Sequence, residues 1–109
     1  MGNEVVIKNR FHTARLDEDS ILYMEKDRRK VFVYTEDENF WEYCKMKDML
    51  DRMGTQMYHC HHSLAVNLDN VQEISCDELI LFSGKKLYMC RSALSRVKKA
   101  WRRHIGVIQ

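Results

Sequence analysis

The hydrophobic positions of the chain fall mostly into short segments with the spacing and composition of β-strands. In the first half, such segments occupy Val5–Ile7, Ile21–Met24, Val31–Thr35 and Phe40–Cys44. In the second half they occupy Met57–His61, Leu64–Leu68, Val71–Ile74, Glu78–Phe82 and Lys86–Cys90. β-Branched and aromatic residues suit a pleated, half-buried surface, so each segment predicts a strand. Polar turns predict one hairpin over residues 31–44, and Gly84 predicts the turn of another.

Two stretches have a helical period instead. Apolar residues three and four apart between Met46 and Met53 predict a helix of about two turns. We expect Gly54 to cap its C-terminus, and we expect the methionines to lie in the core, because a short helix persists only by burying its apolar face. A second apolar stripe, from Leu94 to Ile105, predicts a C-terminal helix with Ser92 as its N-cap and Gly106 at its end.

Length and composition narrow the class of protein. A chain of 109 residues with 45% apolar and 31% charged residues predicts one globular domain over residues 1–109. It has neither an apolar run of the ~20 residues that span a bilayer nor the basic and apolar regions of a signal peptide. The four cysteines form no C-x-x-C pair, which favours reduced thiols. We therefore expect a cytoplasmic protein without a membrane partner.

The basic residues are unevenly distributed. Residues 79–109 contain eight Lys or Arg and no Asp or Glu, although the whole chain has a net charge of only +2. A basic segment of this kind attracts polyanions and is one feature of nucleic-acid-binding proteins. A solvated face of the C-terminal helix accounts for the same charges equally well.

The segment His59–His62 contains three imidazoles and one thiol, which are zinc ligands. On a regular strand, however, alternate side chains point to opposite faces, so only two of the four can share a metal ion. His12 or His104 could complete a site, but no spacing requires it. The alternation predicts that Tyr58 and Cys60 point inward, and neighbours on one strand do not form a Cys–His catalytic pair. We therefore expect no cofactor, and no paired-acid or triad pattern predicts an enzyme.

Candidate nucleic-acid contacts lie at predicted turns and helix ends. Arg28, Arg29 and Lys30 occupy one turn, His62 and Ser63 occupy another, and Arg91 lies where the last strand gives way to the last helix. Arginine can pair with a guanine edge through two hydrogen bonds, and Lys or Arg contacts phosphates. Since no helix-turn-helix pattern is visible, docking would use loops that project from strands.

An ordered series of motifs resembles the LytTR DNA-binding domain of bacterial response regulators. The matching segments are Asp19–Glu25, Val31–Tyr34, the helix segment Lys45–Leu50, Tyr58–Val71, and Gly84–Leu94. The most specific block is the Cys60-His61-x-Ser63 run followed by Val66-Asn67-Leu68. The resemblance covers about residues 5–100 and implies a mostly β domain of small antiparallel sheets, with a short central helix and a C-terminal helix.

The resemblance also implies a function and a set of contact residues. It implies a sequence-specific transcription regulator without catalysis, whose loops enter the grooves of double-stranded DNA at direct-repeat promoter sites. Carried over to this chain, the contacts are Arg28, Arg29, Lys30, His61, His62, Asn67 and Arg91. Ser63, from its place in the predicted turn, and Lys98, as a phosphate contact on the basic helix, complete the candidate set. A structural role competes with DNA contact for His61 and is favoured for Asn67, as a turn former.

The sequence departs from the family pattern in ways that leave alternatives open. Position 62 is His where the family often has Arg, and position 92 is Ser rather than Arg. Most members carry a receiver domain, and this chain has no room for one. We expect either a stand-alone regulator or the output domain of a longer one, whose receiver or dimer partner lies elsewhere. The competing interpretation is a protein-interaction or metal-regulated module that has lost DNA readout.

Overall fold

The structure is a computed structural model that describes residues 3–106, and the termini of the predicted 1–109 domain lie outside that range. The strands along the described chain are β1 (Glu4–Asn9), β2 (His12–Asp17), β3 (Tyr23–Asp27), β4 (Lys30–Tyr34), β5 (Asn39–Tyr43), β6 (Met57–His61), β7 (Leu64–Asn67), β8 (Val71–Ile74), β9 (Leu79–Leu81) and β10 (Lys86–Leu87). The helices are α1 (Met46–Leu50) and α2 (Arg91–His104), and short 3-10 turns occupy Glu18–Ser20 and Leu68–Asn70.

A five-stranded antiparallel sheet in the order β5-β4-β3-β7-β6 forms the centre of the domain. Consecutive hairpins join β3 to β4 and β4 to β5, and β7 pairs with β3 so that Tyr23 lies opposite Val66. A two-stranded sheet of β1 and β2 and a three-stranded sheet in the order β10-β9-β8 complete the fold. The predicted mostly β fold of small antiparallel sheets is therefore confirmed.

The two faces of the central sheet belong to two separate hydrophobic clusters. On the inner face, residues such as Met24 and Val31 pack with Val5 of β1 and Met49 of α1. On the outer face, residues of β3, β6 and β7 pack against β8–β10 and α2. Because side chains alternate along a strand, one sheet can supply both clusters. The loops at its ends therefore project from a scaffold that is packed on both sides.

Helix α1 confirms the predicted role of the methionines but corrects the role of Gly54. Met46 and Met49 are buried in the inner cluster. The helix ends at Leu50, and Gly54 does not have the positive φ of a left-handed cap. Its backbone N–H instead donates to both carboxylate oxygens of buried Glu18, at 2.9 Å. A Cβ at position 54 would lie 3.4 Å from one of those oxygens, which is close to an ordinary van der Waals contact, so the role of this position is the hydrogen bond from its backbone.

The strand predictions need two corrections. Strand β2 was not predicted, because its only partly buried apolar side chains are Ala14 and Leu16, too few to give a clear alternation. Ile21 was expected in a strand, but it follows the 3-10 turn Glu18–Ser20, and β3 begins at Tyr23. The hairpin turn at Gly84 is confirmed, with a φ of 95°.

Helix α2 follows its predicted stripe but begins earlier than expected. Cys90, not Ser92, is the N-cap residue, and Ser92 lies in the first turn with its hydroxyl 3.3 Å from the Cys90 Sγ. Leu94 and Val97 are buried against the outer cluster, whereas Ile105 is 49% exposed, so the buried stripe ends before it. Gly106 follows the helix with a φ of 82°, as predicted for a terminating glycine.

Candidate nucleic-acid interface

The β3–β4 hairpin ends in a two-residue turn that consists of Arg28 and Arg29. The register closes at the Asp27–Lys30 pair, and Arg28 has a φ of 58°. Two-residue hairpin turns favour positive φ, since this matches the twist of the strands, and glycine or asparagine usually occupies such positions. Both arginines are exposed, and neither takes part in an ion pair within residues 3–106. The turn therefore presents two free guanidinium groups at one end of the sheet.

The β6–β7 turn presents His62 beside this hairpin. A bulge interrupts the β6–β7 ladder between His59 and His61, so the regular alternation assumed for these residues fails there. Cys60 is buried in the outer cluster, His59 and His62 are exposed, and Tyr58 is half-buried. The predicted inward direction of Tyr58 and Cys60 thus holds, and the bulge brings His62 to the tip of the turn.

His61 and Ser63 are joined by hydrogen bonds across the turn. The Ser63 N–H donates to the His61 Nδ1 at 3.3 Å, and the Ser63 hydroxyl lies 3.1 Å from the same nitrogen. Partial burial and the neighbouring positive groups, His62 first, lower the pKa of His61. The neutral ring that results accepts at Nδ1 and keeps Nε2–H as a donor. The pair therefore fixes the shape of the turn and leaves one donor on His61.

A backbone hydrogen bond joins the two turns. The Lys26 N–H donates to the Ser63 carbonyl oxygen at 2.8 Å, which extends the pairing of β3 with β7 to the β6–β7 turn. In the strand order, the centres of the two turns are two strand spacings apart, or about 10 Å. The two turns therefore lie side by side at one end of the sheet.

Helix α2 places Arg91 at the same end. In the second turn of α2, the Arg96 Nη2 donates to the Cys60 carbonyl oxygen at 3.2 Å. Near its C-terminus, His104 Nε2 lies 2.5 Å from Asp69 Oδ1, beyond the other end of β7. The helix thus runs in the direction of β7, and its first residue, the exposed Arg91, lies near the β6–β7 turn. Three of the predicted contact segments converge in this way.

Lys30 and Lys98 occupy different surroundings from these tips. The Lys30 Nζ lies 4.2 Å from the ring centroid of Trp41 and 5.6 Å from that of Tyr43, so its charge is held over aromatic rings. Lys98 is half-buried and lies seven residues along α2 from Arg91, about 10 Å at 1.5 Å per residue. A phosphate contact from Lys98 would therefore fall on the flank of the interface.

Asn67 must be removed from the predicted set of DNA contacts. It is completely buried, and its amide Nδ2 donates to the carbonyl oxygens of Glu18 and Ile21, at 3.2 and 2.8 Å. Its Oδ1 accepts from the Asp69 N–H at 3.0 Å. A side chain engaged in this way cannot reach a base edge. Of the two roles considered, the geometry supports the turn former.

Two lysines that the sequence analysis did not select also lie at this end. Lys26 and Lys45 line an open cleft of about 610 Å³ together with Arg28, Arg29, Tyr43, Cys44 and Asp48. We call the group Lys26, Arg28, Arg29, Lys45 and Arg91 the basic end. Lys45 was part of the motif quoted for the central helix, but its charge had no assigned place. The pairing of Lys30 with Tyr43 places the C-terminal end of β5 beside the Arg28–Arg29 turn, and Lys45 follows β5 by two residues.

The opposite end of the sheet is acidic. The β4–β5 turn contributes Glu36, Asp37 and Glu38 to a cleft of about 330 Å³ that Asp19 also lines. We call these four residues the acidic end. The register places Tyr34 and Asn39 beside this turn, a full strand length from Lys30. The fold therefore separates charges that alternate along the sequence.

The histidine segment has the geometry of a turn and not of a metal centre. Within residues 3–106, no three His, Cys, Asp or Glu side chains are grouped so that they could hold a metal ion. Burial raises the pKa of the Cys60 thiol to about 12. That thiol is therefore protonated at neutral pH, whereas a nucleophilic cysteine acts as the thiolate.

A β scaffold with exposed arginines on loop tips at one end has the features of a nucleic-acid-binding domain. The family comparison agrees, since a model described as the LytTr DNA-binding domain matches residues 12–102. The chain belongs to the LytTR family of DNA-binding domains. This membership supports a role as a DNA-binding regulator, in a family described by binding and not by catalysis.

A solved structure shares the fold. It is described as the LytTr DNA-binding domain of a methyl-accepting/DNA response regulator from Bacillus cereus, with a TM-score of 0.77 and 18% sequence identity. The alignment covers 92% of this chain and 97% of that one. At such low identity the likeness concerns the fold alone. Among proteins with curated descriptions, none matches the chain significantly. Over the described residues, no helix is long and apolar enough to cross a bilayer.

Proposed function

We propose that the domain is the output domain of a two-component response regulator and reads direct-repeat promoter sites in double-stranded DNA. The observation that carries the proposal is the convergence of the Arg28–Arg29 turn, the His62 turn and Arg91 at one end of the molecule. Each is exposed, and no ion pair within the described chain uses any of them.

The charge distribution supports an orientation on DNA. The basic end attracts the phosphate backbone, and the acidic end is repelled by it, so the field of the protein directs its approach. In this arrangement Arg28, Arg29, Lys26 and Lys45 contact phosphates. Arg91 and His62 face base edges, with the His61 Nε2–H as a further donor. Arginine pairs best with guanine in the major groove.

The proposal is tested by selecting bound sequences from a pool of random duplexes at about 50 and 200 mM salt. We expect a short motif to be enriched in tandem copies, with affinity that falls as salt rises. Salt-sensitive binding without enrichment would mean contact with phosphates only and would remove the reading roles of His62 and Arg91. Absence of binding even at low salt would overturn the proposal for this domain as a monomer.

Arg91→Ala and Lys98→Ala form a matched pair on the same helix. Arg91→Ala is expected to cost about 1–3 kcal/mol on the selected site and to relax the preference at one base step. Lys98→Ala is expected to weaken binding to selected and random duplexes alike and to lower the salt slope by about one. Anisotropy titrations with both duplexes measure these effects. Equal losses on both duplexes for Arg91→Ala would contradict its reading role.

The regulatory context is part of the same proposal. A receiver domain or another copy of the chain would supply dimerisation, and two linked domains would then engage two repeats with much higher avidity than one. The isolated domain should accordingly bind a single site weakly. Fusion to a dimerising coiled coil should raise its apparent affinity for a tandem site by a factor of about 100 or more, and leave single-site affinity unchanged.

A further inference from the structure

An open aromatic surface lies on the outer face of β4 and β5, beside the basic end. We call it the aromatic shelf, and its residues are Phe11, Phe32, Tyr34, Trp41 and Tyr43. Phe11 is 76% exposed and Tyr43 is 62% exposed, whereas the other three are half-buried. The outer cluster reaches Tyr34, whose ring stacks on Tyr23 at 4.4 Å between centroids, but it does not extend over Phe32, Trp41 or Tyr43. A contiguous apolar surface with polar residues at its edge is typical of an interaction site.

The rings of the shelf form a row. The centroids of Phe11 and Trp41 are 6.5 Å apart, and those of Trp41 and Tyr43 are 5.1 Å apart. Phe32 lies opposite Trp41 in the β4–β5 register, and its centroid is 6.3 Å from that of Tyr34. The row therefore offers several ring faces within reach of one extended ligand.

Positive groups alternate with these rings. The Arg10 guanidinium lies 5.0 Å from the centroid of Phe11, and the Lys30 Nζ lies over Trp41 and near Tyr43. A second open cleft, of about 550 Å³, joins Tyr43 and Phe32 to Arg28 and Arg29. The shelf is thus continuous with the basic end, and a ligand that lies on it meets cations along its path.

These features select a polyanion with exposed flat rings. In a duplex, the bases are stacked on one another, so their faces cannot reach Tyr43 or Phe11. In a single strand, bases can stack on aromatic side chains while phosphates meet lysine and arginine. A basic protein surface, including the outward side of α2 from a second copy, would be repelled by Arg10, Arg28 and Arg29. The carboxylates of Glu25 and Asp27 border the shelf on β3 and restrict the ligand's path to the β4–β5 side.

We propose that the aromatic shelf binds single-stranded nucleic acid, with bases stacked on Phe11 and Tyr43 and phosphates held by Arg10, Lys30 and the Arg28–Arg29 turn. This site shares the Arg28–Arg29 turn with the proposed duplex interface, but it uses neither His62 nor Arg91 and does not depend on sequence-specific duplex recognition. The source of the strand is either DNA or RNA, which share this chemistry. The shelf would allow the domain to hold an unpaired strand next to the duplex that it contacts.

Tryptophan fluorescence tests the proposal, because a base that stacks near Trp41 quenches its emission. The probes are oligo(dT) and oligo(rU) of about 12 nucleotides, titrated into the domain at about 50 and 200 mM salt. We expect saturable quenching that weakens with salt and that is lost in Trp41→Phe but kept in Trp101→Phe. Phe11→Ala and Tyr43→Ala should each weaken single-strand affinity by about tenfold, measured by anisotropy of labelled probes. The ratio of dT to rU affinities identifies the source.

Phe82→Ala is the matched control, since Phe82 is 67% exposed and lines the cleft at the acidic end, whereas Tyr43 lines the clefts at the basic end. It should leave single-strand affinity within twofold of the wild type. An equal loss in Phe82→Ala, or no quenching at low salt, would overturn the proposal. So would an equal loss of duplex affinity in Phe11→Ala and Tyr43→Ala, because the shelf would then belong to the duplex interface. Duplex selection is measured independently, so either proposal can fail while the other stands.

Discussion

The two ends of the central sheet use polar side chains in opposite ways. Beside the acidic end, buried polar groups are bonded to the chain itself: Asn67 to the carbonyls of Glu18 and Ile21, and Glu18 to the Gly54 N–H. At the basic end, Arg28, Arg29 and Arg91 are exposed and unpaired in the part of the chain that the structure describes. Polar groups with partners thus hold the fold together, and polar groups without partners are available for DNA.

Charge reversal at the two ends gives the largest contrast. Arg28→Glu with Arg29→Glu should weaken duplex binding at least about 100-fold at low salt, because two phosphate contacts become two repulsions. Glu36→Arg with Glu38→Arg changes the charge by the same amount in the opposite direction. It should raise affinity by less than about threefold, since that end lies beyond a Debye length from the phosphates. Anisotropy at several salt concentrations measures both. Comparable effects from the two ends would show that only net charge matters.

Truncation of the buried, hydrogen-bonded amide of Asn67 should lower the stability of the fold. Asn67→Ala removes two donated hydrogen bonds and two accepted bonds, the latter from the Asp69 N–H and the Gln56 Nε2, from a fully buried site. We expect the free energy of unfolding to fall by about 2–4 kcal/mol, because the carbonyls of Glu18 and Ile21 lose a buried partner. Urea denaturation measures this loss. Arg29→Ala, the control at the basic end, should remain within about 0.5 kcal/mol of the wild type. A loss of stability in Arg29→Ala as large as that in Asn67→Ala would abolish the distinction.

The Glu42–Arg52 pair lies between the two ends of the sheet and is expected to show a smaller effect. It tests the same distinction between polar groups that stabilise the fold and polar groups that are available for DNA. Glu42 accepts from Arg52 Nη1 at 2.9 Å and from the Lys8 N–H at 3.0 Å, which ties β1 and the segment after α1 to β5. The hydrogen bond from Arg52 is the main cause that lowers the pKa of Glu42 below its ordinary 4.5. A lowered pKa stabilises the folded state above the ordinary value, and that stability is lost as the pH falls through the lowered pKa.

Glu42→Gln should therefore lower the Tm at pH 7 by several degrees, equivalent to about 1–2 kcal/mol. The difference from the wild type should shrink as the pH falls below 4.5, the ordinary value, and duplex affinity at pH 7 should not change. Thermal melts between pH 7 and pH 3 provide the measurement. A gap in Tm that persists at the acid limit would show that the carboxylate charge is not its source.

Sequence reasoning succeeded where periodicity reports on burial. The β3, β4 and β5 hairpins and the buried stripe of α2 follow directly from alternation and from three-four spacing. Strand β2 was missed because it forms a two-stranded sheet with few buried residues. Gly54 was misassigned because its backbone N–H bonds to Glu18, which is 36 residues away in the chain. Contacts of that kind leave no local pattern.

The candidate site was predictable in part for the same reason. Arg28, Arg29, His62 and Arg91 could be selected as exposed groups at turns and helix ends, with the family resemblance supplying their shared role. The inclusion of Asn67 failed because a polar residue in a motif can serve the fold as well as the ligand. Lys45 was overlooked because only the sheet order brings it to the Arg28–Arg29 turn. Lys26 precedes Arg28 by only two residues, so the sequence already placed it beside that turn, although it was not selected. Their DNA contacts remain a prediction.

The positive φ of Arg28 has a consequence for the engineering of a more thermostable domain. A residue with a side chain loses about 1 kcal/mol or more in that conformation relative to glycine, and Asn-Gly is the preferred sequence for such a turn. A stabilisation screen that scored only thermal resistance would favour replacing Arg28 and Arg29, and its best variants would lack the two guanidinium groups of this turn. The strained turn at Arg28 would therefore distinguish variants selected for binding, which keep the arginine, from variants selected for stability, which lose it. A screen of this domain should therefore measure DNA affinity as well as melting temperature.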